Sequence, residues 1–321
     1  MSEVKILTAL KISQCPIWRQ KTRYLFQNNH KGGVFSELRS LFAVCGKYDI
    51  LITPGSRTAQ LFGLYRTLFK KKKPKHIILE LMLDESSDDL VWKIKNLIQR
   101  LCFSSVDIIF VSSKKEVVPY AQRLGLSKDR IRFLPFHTNI IKPGMVSGSG
   151  SYILSAGRTG RDFATLASAV KDLGVKVILV SDKYHIQGIK LPSNVELHCD
   201  IPYKKYLEFL YDCSMVIVPL KKLIKSTGQV VILESMALGK PVIATNTVGT
   251  EDYIEHGVTG ILVPPEDVYA LRHAIVNFIK DPNFYESMAK RALERIEEKH
   301  TFEVYTRTIL NTAKEISYLN M

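Results

Sequence analysis

The sequence STGQVVILESMALGKPVIAT at residues 226–245 determines much of the predicted fold. A short polar loop containing Gly228 leads into an apolar run, which ends at Gly239-Lys240-Pro241 before the apolar segment 242–245. This order predicts a loop, a helix and a strand. Such a helix presents backbone N–H groups at its N-terminus, where a diphosphate can bind. Glu234, further along the helix, would then be within reach of a ribose.

The rest of the chain repeats the alternation of strands and helices. In the first half, strands are predicted at residues 4–10, 49–53, 76–81, 107–112 and 131–134, and helices at about 34–44, 58–69 and 89–103. A long polar loop is expected after the first strand. In the second half, strands are predicted at residues 152–156, 176–180, 195–198, 215–219, 242–245 and 260–263, and a helical region from about 268. This pattern indicates parallel sheets covered by helices on both faces.

A flexible segment, PGMVSGSG at residues 143–150, separates the two halves. Segments rich in Gly and Ser often join domains. The sequence therefore predicts an α/β protein of two doubly wound Rossmann-like domains, residues 1–145 and 146–321, facing across a cleft. The binding site is expected in that cleft, at the carboxyl ends of the strands. The last helical segment is expected to pack back on the first domain.

Positive charge is concentrated in the first half of the chain. The 321 residues carry a formal net charge of +14. Residues 1–145 contain 25 Lys and Arg against 11 Asp and Glu, whereas residues 146–321 contain 20 of each. A basic excess confined to one half predicts a polyanionic partner: anionic lipid headgroups, a phosphorylated substrate or nucleic acid. The run Lys70–Lys73, taken alone, is equally typical of a solvated basic face.

The cysteines and the N-terminal segment favour a cytosolic protein. The five cysteines are far apart and form no C-x-x-C pair, which is typical of reduced thiols. Lys5 and Lys11 interrupt the apolar stretch at the N-terminus, which is too short and too charged for a signal peptide or a membrane span. Because the cysteines offer no metal site and there is no Asp-x-Asp pair, neither a metal nor a cofactor is expected.

A second candidate anion-binding motif is GRTGRD at residues 157–162, directly after the predicted strand 152–156. Arg158 and Arg161 could neutralise a diphosphate, and Gly157 would allow the backbone to approach it. A pair of surface arginines that cap nearby carbonyls would give the same pattern. Three loop amides would complete the anion site: Thr227, Gly228 and Gln229.

Together these motifs resemble a GT-B glycosyltransferase of the large retaining family often called family 4. In the second half the resemblance rests on GRTGR at 157–161, NVELH at 194–198, DCSMVIVPL at 212–220, GQVVILESMALGKPVIAT at 228–245 and GTEDYIEHGVTGILVPP at 249–265. In the first half it is weaker and rests on Gly32-Gly33, VSS at 111–113 and IRFLP at 131–135. The resemblance implies transfer of a sugar from a nucleotide-diphospho-sugar with retention of configuration.

The resemblance also implies roles for individual residues. Arg158 and Arg161 would bind the diphosphate and stabilise the leaving nucleotide, and Glu234 would bind the ribose. Ile201 would meet the base through its main chain. Ser226 replaces the first glutamate of the family, which contacts the donor sugar, so the identity of that sugar stays open. The remaining donor-side residues are Gly157, Thr227, Gly228, Gln229 and Val230.

The acceptor side is less well defined by the sequence. The resemblance assigns Gly32 and Gly33 to the lining of the acceptor site. The family has a histidine after a first-domain strand, and this chain lacks it; Glu80, Asp84 or Glu85 stand nearby, and Glu80 is the candidate for catalysis. His137 is the histidine to test, although a histidine in such a position is more often structural.

The sequence thus predicts a metal-independent glycosyltransferase acting on a lipid-linked or polysaccharide acceptor. It would lie peripherally on the cytoplasmic face of the membrane, with the basic half docked on anionic lipid. One alternative is a nucleotide-sugar 2-epimerase of GT-B-like fold, whose carboxylate and histidine set we cannot place in this chain. The other is a non-enzymatic polyanion-binding protein. Because no nucleic-acid-binding motif is present, a nucleic-acid partner is not expected.

Overall fold

The computed structural model describes residues 4–26, 33–146 and 150–318. The chain forms two compact units. Unit 1 comprises Met1–Leu134 together with Phe302–Met321, and unit 2 comprises Pro135–Thr301. None of the helices within the described ranges has the length and apolar content needed to cross a membrane.

Unit 1 is built on a parallel sheet. Its strands are β1 Ile6–Thr8, β2 Thr22–Tyr24, β3 Ile50–Pro54, β4 Lys75–Leu79, β5 Ile108–Val111 and β6 Ile131–Phe133. Its first five helices are α1 Pro16–Lys21, α2 Val34–Val44, α3 Arg57–Leu68, α4 Leu90–Phe103 and α5 Lys114–Leu124. The strand order is β2-β1-β3-β4-β5-β6, and all neighbours are parallel. The central strands β3 and β4 are mostly apolar and are buried except at Pro54 and Lys75, as expected for a sheet covered on both faces.

Unit 2 has the same architecture. Its strands are β7 Tyr152–Ala156, β8 Lys176–Ser181, β9 Val195–Cys199, β10 Met215–Val218, β11 Val242–Thr245 and β12 Ile261–Val263. Its helices are α6 Phe163–Val170, α7 Lys183–Ile186, α8 Tyr203–Asp212, α9 Gln229–Ala237, α10 Thr250–Tyr253, α11 Val268–Lys280 and α12 Pro282–Lys299. The order β12-β11-β10-β7-β8-β9 reverses between β7 and β10. In doubly wound sheets the ligand crevice lies at this reversal, beyond the carboxyl ends of the strands.

The last helix, α13 Phe302–Tyr318, belongs to unit 1. Tyr305, Ile309 and Ala313 are buried in the cluster that contains the sheet residues Ile6 and Ile50. This packing explains the amphipathic pattern of the helix, because its apolar side contacts the sheet and its charged side faces solvent.

The boundary between the units differs from the predicted one at residues 145/146. The N–H of Gly144 donates to the carbonyl of Ala237 at 2.9 Å, and that of Val146 donates to the carbonyl of Leu238 at 3.2 Å. The beginning of the Gly/Ser-rich segment is therefore tied to the end of α9, inside unit 2. Residues 147–149 lie outside the described ranges.

The predicted fold class, α/β with two doubly wound parallel sheets, is confirmed. The long polar loop predicted after β1 is wrong in part, because it contains α1 and β2. Trp18 is buried on α1, and Thr22 of β2 pairs with Ile6 of β1 at the edge of the sheet. A three-residue edge strand with partly exposed side chains is too short to produce a recognisable period in the sequence.

Candidate functional site

The glycine-rich turn after β7 lies at the strand-order reversal of unit 2. Gly157 has φ +126° and Gly160 has φ +70°, a region that side-chain-bearing residues rarely adopt. The N–H of Gly157 donates to the carbonyl of Val180 at 3.0 Å, and the Ser181 hydroxyl donates to the Gly157 carbonyl at 2.8 Å. These bonds fix the turn against the carboxyl end of β8.

Arg161 is buried beneath this turn. Its Nε donates to the Ala156 carbonyl at 2.9 Å, and its Nη1 donates to the Thr159 carbonyl at 3.2 Å. Burial lowers the pKa of Arg161 to about 10, so the guanidinium remains charged at neutral pH. No carboxylate within the described residues pairs with it. Arg161 therefore places a fixed positive charge inside the turn, and a Cβ on Gly157 would lie only 2.3 Å from its Nη2.

Arg158 is the exposed arginine of the motif. Its side chain is 60% exposed and forms ion pairs with Asp182 at 3.4 Å and Asp200 at 3.8 Å. Both aspartates follow the carboxyl ends of neighbouring strands, β8 and β9. Because these exposed ion pairs are weak, the guanidinium can exchange them for a phosphate.

The loop before α9 meets the glycine-rich turn. Gly228 has φ +95° and is the N-cap of α9, so the N-terminal amides of the helix face the reversal point. A Cβ on Gly160 would lie 2.9 Å from Oγ1 of Thr227, which shows how closely the two loops approach. The structure thus brings together the two segments that the sequence singled out as anion-binding.

Glu234 is fully buried on α9, and its carboxylate is held by three side chains. Oε1 accepts hydrogen bonds from Nδ2 of Asn139 and from the Tyr203 hydroxyl, both at 2.8 Å. Oε2 accepts one from the Tyr206 hydroxyl at 3.0 Å. Burial raises the pKa of Glu234, while the three hydrogen bonds oppose the shift. A ribose would therefore have to share this carboxylate with protein donors.

These three donors were not predicted as functional residues. Tyr203 and Tyr206 are three residues apart on α8, so both reach the same carboxylate. Asn139 lies in the connection between β6 and β7. The spacing of the tyrosines was visible in the sequence, but their common partner, distant in the chain, was not.

A cavity of about 290 Å³ lies between Arg158 and Glu234, and neither Arg161 nor residues 226–229 are among its lining residues. Its lining includes the predicted residues Gly157, Arg158, Ile201, Val230 and Glu234. The other lining residues are Ala156, Val180, Ser181, Tyr203, Tyr206 and Val231. The lining combines aliphatic side chains with one cation, Arg158, and one carboxylate, Glu234, a combination suited to a base, a ribose and a phosphate.

Ser226, which the sequence places beside the donor sugar, has other polar residues near it. Ser226 and Gln229 are buried, and a Cβ on Gly249 would lie 2.5 Å from Cβ of Ser226 and 2.9 Å from Nε2 of Gln229. Within the described part of the chain, Nε2 of Gln229 and Oγ1 of Thr247 are buried without a hydrogen-bond partner. Buried polar atoms of this kind are rare in native proteins and fit a polar ligand.

The two candidate catalytic residues, Glu80 and His137, belong to different units. Glu80, in unit 1, accepts a hydrogen bond from the Tyr305 hydroxyl at 2.6 Å, and burial raises its pKa. His137, in unit 2, stacks on Phe136, and burial lowers its pKa to about 4. Gly33 is the N-cap of α2, with open space around it, whereas Gly32 lies outside the described residues.

Comparison with known proteins agrees with this fold. Residues 181–295 match the family described as "Glycosyl transferases group 1". Sucrose synthase 2 of Pisum sativum is 31% identical over 91 residues, which are 27% of this chain and 11% of that protein. Human alpha-1,3/1,6-mannosyltransferase ALG2 is 32% identical over 106 residues, 33% of this chain and 24% of that protein. The chain therefore matches only a small part of these curated relatives.

A solved structure extends the similarity to nearly the whole chain. Anabaena Alr3699/HepE, solved in complex with UDP-glucose, superposes with a TM-score of 0.71 at 16% identity, covering 97% of this chain and all of that one. At this identity the likeness concerns the fold. The protein thus has the GT-B fold. Residues 181–295, less than half of the chain, are the part that matches the glycosyl transferases group 1 family.

Proposed function

We propose that this protein is a retaining glycosyltransferase of family 4 type, which moves a sugar from a nucleotide-diphospho-sugar to a lipid-linked or polysaccharide acceptor at the cytoplasmic face of the membrane. The observation that carries the proposal is the cavity of about 290 Å³ in unit 2, bordered by Arg158 and Glu234. It lies at the strand-order reversal, where doubly wound sheets bind nucleotides.

The relatives support the choice of a sugar nucleotide. Alr3699/HepE was solved with UDP-glucose, and ALG2 is named as a mannosyltransferase. In this chain, the base would lie by the main chain of Ile201, the ribose by Glu234, and the diphosphate between the glycine-rich turn and the N-terminus of α9. The sugar would then lie by Ser226 and Nε2 of Gln229, which has no hydrogen-bond partner within the described residues.

In the proposed reaction, the bond between the anomeric carbon and the diphosphate oxygen breaks through an oxocarbenium-like state. The acceptor oxygen bonds to the anomeric carbon on the same face, and its proton passes to the departing phosphate oxygen. Negative charge therefore grows on the diphosphate as the bond breaks. Arg158, the buried charge of Arg161 and the amides at the start of α9 would stabilise it.

These protein groups lead us to propose a reaction that needs no metal. Two guanidinium groups and a helix N-terminus provide positive charge on the diphosphate side. We retain Glu80 and His137 as candidate catalytic groups, and Gly32 and Gly33 as acceptor-side residues. A single substitution at each of these four residues tests whether sugar transfer depends on it.

The test uses purified full-length protein and a panel of UDP- and GDP-sugars, with release of the nucleoside diphosphate and the fate of the sugar followed separately. Arg158→Ala and Glu234→Gln should each reduce release at least about tenfold when the sugar nucleotide is not saturating. Lys176→Ala is the matched control, because Lys176 is also an ion-paired cation of unit 2 with a side chain that is 54% exposed. Undiminished release in both site variants would refute the proposed site. A product with an epimerised sugar and no transfer would support the 2-epimerase instead.

A further inference from the structure

Helix α4 of unit 1 presents its apolar residues to solvent. Its six exposed aliphatic side chains are between 43% and 71% exposed: Leu90, Val91, Ile94, Leu97, Ile98 and Leu101. At 3.6 residues per turn they share one face, an arc of about 120°. A surface helix of a globular protein normally turns such a face towards the core. In α4 the apolar face points to solvent instead.

The inward side of α4 carries Trp92, Asn96 and Gln99, which contact an arginine, and it ends in the buried Cys102 and Phe103. Nε of Arg123, on α5, donates to Oδ1 of Asn96 at 3.1 Å, and Nη2 donates to Oε1 of Gln99 at 3.2 Å. The same guanidinium lies 5.5 Å from the ring centroid of Trp92. These contacts fix the rotation of the helix about its axis. The exposed stripe is therefore part of the folded structure of unit 1.

Basic residues border the stripe on both sides. By helical geometry, Lys93 lies at one edge of the apolar arc and Lys95 at the other. Arg100, beyond Lys93, donates from Nε to the Arg123 carbonyl of α5 at 2.9 Å. Nζ of Lys95 is 4.6 Å from the ring centroid of Trp92. An apolar centre with lysine and arginine at its edges is typical of a helix lying in the plane of a membrane interface, because long basic side chains reach outward to the headgroups.

The surface continues onto the end of α3. Oγ1 of Thr67 donates to the Leu101 carbonyl at 3.0 Å, so the two helix ends are in contact. Leu68 and Phe69, next in the chain, are both more than 60% exposed. The run Lys70–Lys73 follows them directly. The apolar stripe thus leads to four consecutive lysines.

These lysines border a large basic cavity. Its volume is about 960 Å³, and its lining includes Lys70–Lys73, Lys75, Arg66 and Arg130. Arg66 donates to the carbonyls of Lys71 and Lys72, both at 3.2 Å, which fixes the backbone of the run. Asp107 pairs with Arg66 and Lys75. Within the described residues, none of the four lysines of the run forms an ion pair, so their charges are available to an anion.

We propose that α4 and the adjacent end of α3 form the surface by which this protein docks on an anionic bilayer. The stripe would enter the interface between headgroups and acyl chains, and Lys70–Lys73 would contact lipid phosphates. This proposal rests on the proposed membrane location of the reaction and assigns it to particular residues. A second copy of the chain is the less suitable occupant, because the basic borders of two such surfaces would repel each other.

The first test measures flotation of the protein with two kinds of vesicle. One is made of phosphatidylcholine alone, and the other also contains about a third phosphatidylglycerol, whose headgroups make the surface negative. We expect salt-sensitive binding to the anionic vesicles. Ile94→Glu combined with Leu97→Glu should weaken binding at least tenfold, and so should Lys71→Glu combined with Lys72→Glu. Tyr184→Glu combined with Tyr269→Glu is the control, because both tyrosines are exposed on unit 2. It should bind as the unaltered protein does.

A second test locates the contact. The chain has two tryptophans, Trp18 and Trp92, of which Trp18 is buried in the core and Trp92 lies on α4. A tryptophan placed on the stripe by Leu97→Trp should be quenched by vesicles with brominated acyl chains, whereas the unaltered protein should be quenched little, because Trp92 lies on the inward side of α4 beside Arg123. Equal quenching of the two proteins would contradict this placement of the stripe.

No binding to anionic vesicles at low salt would refute the membrane surface, as would equal binding of the Glu variants. A dimer that Ile94→Glu with Leu97→Glu converts to a monomer, without vesicle binding, would show that a second copy covers the surface. UDP binding, measured by thermal shift, is independent of these outcomes and should be unchanged in all variants. Its absence in the unaltered protein would count against the proposed function instead.

Discussion

The carboxylate of Glu234 allows the proposed nucleotide site to be tested by two substitutions with opposite expected effects. An ionised carboxylate accepts about four hydrogen bonds, and three are already made, by Asn139, Tyr203 and Tyr206. One position is therefore open to a ribose hydroxyl. A second hydroxyl requires Tyr203, which is half-exposed, to give up its bond.

Glu234→Gln should weaken binding of a nucleoside diphosphate by about 10- to 100-fold, because a hydrogen bond to a charged group contributes about 1.5–3 kcal/mol. Tyr203→Phe should leave affinity unchanged or increase it, because it frees a lone pair of Oε1. The same change should lower the free energy of unfolding by about 1 kcal/mol. Isothermal titration with UDP and GDP measures the first quantity and thermal unfolding the second, with Tyr184→Phe as the exposed control.

The pH dependence provides a further check on the same residue. Burial raises the pKa of Glu234 above its ordinary value of 4.5. Affinity for the nucleotide should therefore begin to fall on acidification at a higher pH than for an exposed glutamate. Because the pKa of Glu234 is higher in the folded than in the unfolded state, its ionisation lowers the free energy of unfolding as pH rises from 4.5 through the folded-state pKa. Glu234→Gln should remove this loss of stability. If Glu234→Gln folds and binds within twofold of the unaltered protein, the carboxylate has a structural role only.

Three further predictions concern other parts of the molecule. Gly157→Ala should reduce stability by about 1–3 kcal/mol and abolish nucleotide binding, as measured by thermal shift, because φ there is +126° and the new methyl would meet the Arg161 guanidinium. Burial lowers the pKa of His76 to about 3 and those of His137 and His300 to about 4, from 6.5. Stability from these neutral rings is complete above pH 6.5 and is lost as pH falls towards 4, so the Tm should drop across this range, and a flat profile would contradict their burial. Sugar transfer should continue in excess EDTA, and loss of activity restored by a divalent cation would show that a metal is required.

The sequence was sufficient to predict the fold class, because short apolar strands alternate with helices along both halves of the chain. Strands β7, β8 and β11 lie close to their predicted positions. Prediction failed where local signal was weak or where distant hydrogen bonds decided the outcome. Strand β2 has only three residues, and residues 143–146 are held in unit 2 by backbone bonds to the end of α9.

The sequence indicated the two loops of the candidate site, but not the residues that donate hydrogen bonds to Glu234. Gly157 and Gly228 were recognisable from composition, since both require positive φ in turns beside apolar segments. The partners of Glu234 are distant in sequence, so no pattern could reveal them. Helix α4 shows a related difficulty, because hydrophobic periodicity gives the existence and width of an apolar face but not the direction in which the face points.

The placement of α13 in unit 1 has a consequence for synthesis of the chain. Unit 2 is a continuous stretch, Pro135–Thr301, whereas unit 1 needs residues from both ends of the sequence. On the ribosome, the strands of unit 1 emerge first, but Tyr305 and Ile309, which complete their core, emerge only after all of unit 2. Unit 2 can therefore fold first. Until residues 302–318 are made, part of one apolar face of the sheet translated earliest stays uncovered, so the part of the chain that is made first is the last to complete its core.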